Sequence, residues 1–257
     1  MCFGRALSLG LVAVAAACQL PHQETVTPQR PTVSFDTATT APGTFELETG
    51  VAIDPGDSFD APNTLKYGAD SRTELLAGWS PWQQVVQPGP DAEGGGDLVI
   101  GVRHRLFDAG DGTPSAGLVF RGKLPTASAA AGLASGEVDL RFAGILNQQF
   151  GAVNANLFYE YGALGDPTGD GTTSEHTTTL TASTAVSDRV GAFAELAWVT
   201  APAQDRRSVF AIVGTTFAAE SWLVFDAGAT IGLSDTAPDV QLFVGCTHNL
   251  GAPRAVR

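Results

Sequence analysis

The sequence predicts an all-β fold: a transmembrane antiparallel β-barrel of about twelve strands, with short periplasmic turns and longer extracellular loops. Three observations carry this. Apolar side chains recur at every second position in segment after segment, the period of a strand with two unlike faces. The connections between these segments alternate in length, as an outer-membrane barrel requires and a soluble sandwich does not. Most segments approach the ~9–11 residues that a tilted strand needs to cross a bilayer.

Composition narrows the alternatives. Among 257 residues, 27 Asp and Glu against 14 Lys and Arg leave a net charge of −13. Nucleic acid would demand a basic stripe, so no nucleic-acid partner is expected. Mean hydropathy is +0.08, too low for a helical membrane bundle. The one long apolar run, from Ala6 to Cys18, is interrupted by Ser8 and Gly10 and is shorter than the ~20 residues of a spanning helix.

The N-terminus reads as a targeting segment. Arg5, the apolar run and the small residues Ala15, Ala16 and Ala17 make residues 1–17 a secretory signal peptide. Cleavage before Cys18 would leave that cysteine for lipid attachment, as in a lipoprotein. Ordinary cleavage after an Ala-rich site is the other reading, and Ala15 stands where lipoprotein signals usually carry Leu. Cys2 leaves with the signal, and Cys18 and Cys246 are too few for a disulfide scaffold. Residues 18–42, rich in Pro and Thr and without period, are expected as a periplasmic linker. The barrel is assigned to residues 43–250 and a C-terminal tail to 251–257.

Each strand follows from its alternation. In residues 44–53, Phe45, Leu47, Val51 and Ile53 oppose Glu46 and Glu48. Residues 63–68 and 72–80, the latter carrying Glu74, are two shorter strands. Residues 97–107 set Leu98, Ile100 and Val102 against Asp97, Arg103 and Arg105. Residues 115–124 set Leu118, Phe120 and Leu124 against Arg121 and Lys123. Residues 137–147 set Val138, Leu140, Phe142 and Leu146 against Glu137, Asp139 and Arg141. Residues 153–161 set Leu157, Tyr159 and Tyr161 against Asn154, Asn156 and Glu160. The period persists with fewer charges in residues 176–186, 190–200 (with Glu195), 208–217, 222–232 and 240–250. If the first strand rises, every long connection is external and both ends of the barrel lie in the periplasm. Trp79, Tyr159, Tyr161 and Trp198 then fall near outer strand ends, and Phe45, Phe107, Phe150, Phe217 and Trp222 near inner ones, as two aromatic girdles. His104 and His248 fall on the lipid-facing register.

Several segments together resemble a known family. Pro42-Gly-Thr-Phe-Glu-Leu-Glu-Thr-Gly50, Leu65-Lys-Tyr-Gly68 followed by Arg72-Thr-Glu-Leu75, Gly96-Asp-Leu-Val-Ile-Gly-Val-Arg103, Arg121-Gly-Lys-Leu-Pro-Thr126 and Gln241-Leu-Phe-Val-Gly245 are similar in order and spacing to the bacterial outer-membrane barrels labelled "MetA-pathway of phenol degradation" or transporter. Arg30-Pro31 resembles that family's entry segment. The resemblance runs from about Arg30 to Leu250. It implies an exported barrel that passes small aromatic or other hydrophobic compounds, and it supplies no catalytic residues. One departure is that the last strand ends on Leu250 rather than on an aromatic residue.

No catalytic, phosphate-binding or metal-ligand spacing stands out, so no catalytic residue, metal or cofactor is assigned. The Asp166–Gly171 stretch lacks the spacing and closing Glu of a calcium loop. Function is expected in the lumen, lined by Glu46, Glu48, Glu74, Arg103, Arg105, Arg121, Lys123, Glu137, Asp139, Arg141, Glu160 and Glu195. Arg121, Lys123, Glu137 and Asp139 are expected to form one ion-paired cluster across adjacent strands. About twelve strands lie between the filled interior of eight and the aqueous channel of sixteen. A monomeric passive channel for small molecules is the expected function. A non-conducting structural or surface barrel with a plugged lumen, and an outer-membrane enzyme, are the alternatives. Outer-membrane lipid is the expected surrounding.

Overall fold

The computed structural model describes residues 25–87, 90–110, 112–169 and 171–252. The predicted signal segment and Cys18 lie outside the described residues. Among the described residues, fifteen strands form one antiparallel sheet: β1 (Phe45–Asp54), β2 (Ser58–Asp60), β3 (Asn63–Gly68), β4 (Thr73–Trp79), β5 (Gln83–Val85), β6 (Ala92–Gly94), β7 (Leu98–Phe107), β8 (Ser115–Leu124), β9 (Asp139–Phe150), β10 (Val153–Gly165), β11 (Thr172–Ala185), β12 (Val190–Ala201), β13 (Arg206–Glu220), β14 (Leu223–Gly232) and β15 (Val240–Gly251). Twelve of them, β1, β3, β4 and β7 to β15, pair in chain order, and β15 returns to β1 from Glu46↔Asn249 to Ile53↔Leu242. That closure gives each of the twelve a neighbour on both sides, the condition for crossing lipid with strands.

The three short strands continue three of the twelve outward. β2 takes over from β3 beside the upper part of β1, β5 pairs with β2, and β6 with β5. The breaks fall at Pro62, at Pro81 and at Gly95-Gly96. Proline cannot donate to a ladder, and glycine weakens one. Single bonds bridge the breaks: Gly50 N–H to the Pro62 carbonyl (3.2 Å), Ala61 N–H to Trp82 (3.0 Å) and Gly96 N–H to Ser80 (2.8 Å).

Alternation along each strand decides what faces where. On β8 and β9, Val119, Ala143 and Ile145 are buried inward, whereas Leu118 and Phe142 point out and are 52% exposed. Leu180 and Leu242, both 53% exposed, continue that outward belt around the wall. Such a band of exposed apolar surface on a closed barrel is satisfied by acyl chains. Trp79, Tyr159 and Tyr161 flank it at the outer side, and Phe107, Phe150 and Phe217 at the inner. The Tyr159 hydroxyl meets His176 Nδ1 at 2.8 Å, and the Trp222 and His248 rings lie 5.1 Å apart. Phe107 sits outward because a register shift between Arg105 and Phe107 turns it over.

The segment expected as a linker is inside the barrel. Val26 N–H donates to the Ser221 carbonyl at a periplasmic turn (3.0 Å). The chain then rises past Glu46 and Glu48 on β1 to Glu195 at the middle of β12. It descends past Ser115 at the foot of β8 and leaves beside Gly68 at the foot of β3. Residues 25–42 therefore correct the periplasmic assignment. They show no period because they join no sheet, and their backbone and hydroxyl donors face a wall rich in carboxylates.

Candidate functional site: the lumen and the segment within it

The wall carries its charges in two groups. The lower group lies beneath and beside the inner segment. Lys66 on β3 is 1% exposed and donates to Glu46 Oε2 (2.8 Å), Glu48 Oε1 (2.9 Å) and the Thr27 carbonyl (2.7 Å). An ammonium has three donors, so all three are used. Arg103, wholly buried, pairs with Glu74 at 2.9 Å and reaches the Asp36 carbonyl at 3.3 Å. Arg105 reaches the Thr37 carbonyl and pairs with Asp108 at 2.9 Å.

Carboxylates of the wall hold the segment at four points. Glu46 accepts from Thr27, and Glu48 from Gln29 N–H at 2.7 Å. Glu74 accepts from Thr40 N–H and Oγ1, both at 2.8 Å. At the apex, Glu195 accepts from Val33 N–H (2.8 Å), Ser34 N–H (3.2 Å), Ser34 Oγ and Thr181 Oγ1 (2.8 Å). Charged acceptors make the stronger class of hydrogen bond. Phe35 packs on the inward apolar cluster of Val119, Ala143, Ile145 and Phe158, with the guanidinium carbons of Arg121 and Arg103 5.0 and 5.7 Å from its ring centre. Arg30 lies 3.6 Å from Asp226 on β14. Its guanidinium occupies the space where side chains at Gly50 and Gly245, which face each other across the closing seam, would stand. The glycines there give room for close approach.

The upper group stands on the outer half of β8 to β13. Lys123 pairs with Asp139 (3.0 Å) and Asp97 (3.3 Å). Arg121 pairs with Glu160. Arg141 bridges Glu160 (3.0 Å) and Glu175 (2.9 Å), and Arg206 also pairs with Glu175. Eleven of the twelve sequence-assigned lumen residues are thus on inward faces or in lumen contacts. The twelfth, Glu137, is exposed in the turn before β9 and joins none of the ion pairs among the described residues. Gly136 there has φ +77°, and Ser135 Oγ accepts from Glu137 N–H, which starts the strand two residues later than expected. The expected four-residue cluster is therefore divided. Lys123 does meet Asp139, but Arg121 turns to Glu160.

Sequence reading missed Lys66, Glu175, Arg206 and Asp226. Lys66 was legible, because Leu65 and Tyr67 on either side face out. Glu175 and Arg206 lie in stretches read as loops.

The segment divides the lumen. A cavity of about 640 Å³ on its outer side is lined by Phe35, Asp97, Arg121, Arg141, Glu160 and Glu175, among others. A second, of about 570 Å³ on its inner side, is lined by Asn154, Asn156, Thr181, Arg189 and Thr216. Gln29, Arg30, Pro31, Thr32 and Ser34 line both.

A closed twelve-stranded barrel with an apolar belt outside and its own N-terminal segment inside defines the class: an outer-membrane β-barrel. The particular family follows from the sequence. The family model described as "Putative MetA-pathway of phenol degradation" matches residues 23–250, and the chain belongs to that family. In fold it is similar to the COG4313 outer membrane channel from Pseudomonas putida F1, with 12% identity and a TM-score of 0.64 over 87% of this chain and 99% of that one. It is also similar to the NanC porin, with 7% identity and a TM-score of 0.55 over 79% and 98% of the two chains. The translocator domain of the autotransporter NalP from Neisseria meningitidis has 14% identity and a TM-score of 0.50, over 80% and 87%. No curated protein sequence matches the chain. The fold and these neighbours place the protein in the outer membrane of a Gram-negative bacterium.

Proposed function

We propose that the protein is a passive, monomeric channel for small solutes, aromatic or hydrophobic ones among them, and that its N-terminal segment is the gate. The observation that carries this reading is the division of one lumen into two vestibules by the same five residues. A barrel filled to be inert would have no need of solvent-sized space on both sides of one thin partition. The partition is also held by hydrogen bonds rather than by the sheet, so it can leave without breaking the wall. Named relatives support a channel over an enzyme, since one is a channel and another a porin.

The second reading is a structural barrel with a permanent plug. Its support is the number of charged groups that hold the segment, Glu46, Glu48, Glu74 and Glu195. Replacing residues 28–36 by a Gly-Ser linker of equal length decides between them in planar bilayers. The channel reading expects a steady conductance from that variant and rare openings from the intact chain. A silent variant that still shows heat-modifiable migration would favour the structural barrel.

A further inference from the structure

The charges around the outer vestibule balance in number but not in position. Lys123, Arg121, Arg141 and Arg206 have side chains 21%, 23%, 25% and 46% exposed. Their partners Asp97, Asp139, Glu160 and Glu175 are 9%, 10%, 4% and 9% exposed. In each pair the carboxylate is the less exposed partner, and Asp97, Glu160 and Glu175 line the outer cavity beside Arg121 and Arg141. A solute entering from outside therefore meets more of each cation than of the carboxylate paired with it. Four equal pairs would present no net field at the cavity surface. Four pairs turned the same way present a positive one.

The cations also keep donors in hand. A guanidinium has five N–H groups. Among the described residues, Arg141 engages its carboxylates through Nη1 alone, and Arg121 through Nη2 alone. Arg121 Nε is buried without a partner. Both residues line the outer cavity. The same cavity is lined by Val33, Val199, Phe210 and Phe35, the last with its ring centre 5.0 Å from the Arg121 guanidinium carbon. A space of about 640 Å³ lined mostly by polar and charged groups, with these apolar side chains among them, can hold both ends of an amphipathic small molecule.

We propose that this vestibule binds small organic anions, an aromatic ring bearing a carboxylate above all, with the anionic group on Arg121 and Arg141 and the ring against Phe35, Val199 and Phe210. The proposal deepens the channel reading and rests on it for its role in transport, although binding itself needs no open pore. Planar carboxylates suit the guanidinium fork, which can offer two parallel N–H groups.

The test is equilibrium binding to the folded protein in detergent, by calorimetry, with benzoate, benzyl alcohol and benzylamine as probes. The three share a ring and differ in charge. The unaltered protein is expected to bind benzoate and to bind the neutral and cationic probes more weakly by roughly 10- to 100-fold, the worth of a charge-assisted hydrogen bond. Arg121→Gln with Arg141→Gln should remove that preference, and Glu160→Gln with Glu175→Gln should strengthen benzoate binding, since the cations are then released. Equal binding of benzoate and benzyl alcohol, or no binding of benzoate, overturns the proposal using the unaltered protein alone, whatever the variants do on folding. Bilayer recordings of the same preparation keep the two claims apart. Benzoate binding by a barrel that never conducts sinks the channel and keeps the site. Conduction without benzoate binding sinks the site and keeps the channel.

Discussion

Glu195→Gln should open the lumen. Glu195 sits at the apex of the inner segment, where it accepts Val33 N–H, Ser34 N–H and Ser34 Oγ from the segment and Thr181 Oγ1 from the wall. Glutamine keeps the shape but has one acceptor oxygen, and its amide turns a donor towards another donor. A hydrogen bond to a charged group contributes about 1.5–3 kcal/mol and a neutral one about 0.5–1.5, so each of the three segment bonds loses about 1 kcal/mol. Their sum of about 3 kcal/mol corresponds to roughly a hundred-fold rise in the open fraction, at ~1.4 kcal/mol per factor of ten. The assay is open probability in planar bilayers, with heat-modifiable migration as the check that the barrel has formed. A folded variant with the open probability of the unaltered protein would refute the latch.

Further outcomes follow from other parts of the structure. Arg30→Ala leaves Asp226, with a side chain 2% exposed, without its cation and should loosen the segment near the closing seam, read as faster amide exchange of residues 29–32. Glu74→Gln leaves Arg103 wholly buried and short of its counter-charge, so urea unfolding should shift by about 3–5 kcal/mol, the usual cost of breaking a buried pair. Leu180→Arg, at the middle of β11 on the lipid face, should cost about 2–4 kcal/mol in liposome refolding, whereas Glu137→Arg in its exposed turn should cost little. In the periplasmic turn, amide donors from Arg72 and Thr73 hold the Asp70 carboxyl below its usual range. A lowered folded value means that this turn keeps its stability above the ordinary aspartate pKa of about 3.9 and loses it as pH falls further, which hydrogen exchange of those two amides reports.

Period two made the barrel legible, strand by strand. Asn63–Gly68 and Ser115–Leu124 have the bounds that alternation assigns. β10 and β11 run beyond theirs, with Gly165 paired to Thr172 above the belt. Residues past the lipid need no apolar outward side, so Thr172, Thr173 and Ser174 read as loop although they pair. The inner segment was illegible for the opposite reason. It adds no strand, and composition alone makes a Pro- and Thr-rich stretch look like a tether. A signal was present in the charges it answers. In the lower lumen Glu46, Glu48, Glu74, Glu195 and Asp226 outnumber Lys66, Arg103 and Arg105, and buried carboxylates without cations require donors from elsewhere.

A reversible cross-link tests the gate most directly. Ser34 Oγ and Thr181 Oγ1 lie 2.9 Å apart, so Ser34→Cys with Thr181→Cys ties the apex of the segment to β11. Recorded in one bilayer, the oxidised barrel is expected to be silent, and addition of a thiol reductant is expected to start openings that stop again on reoxidation. The same conductance before and after reduction, whether present or absent, would contradict the account.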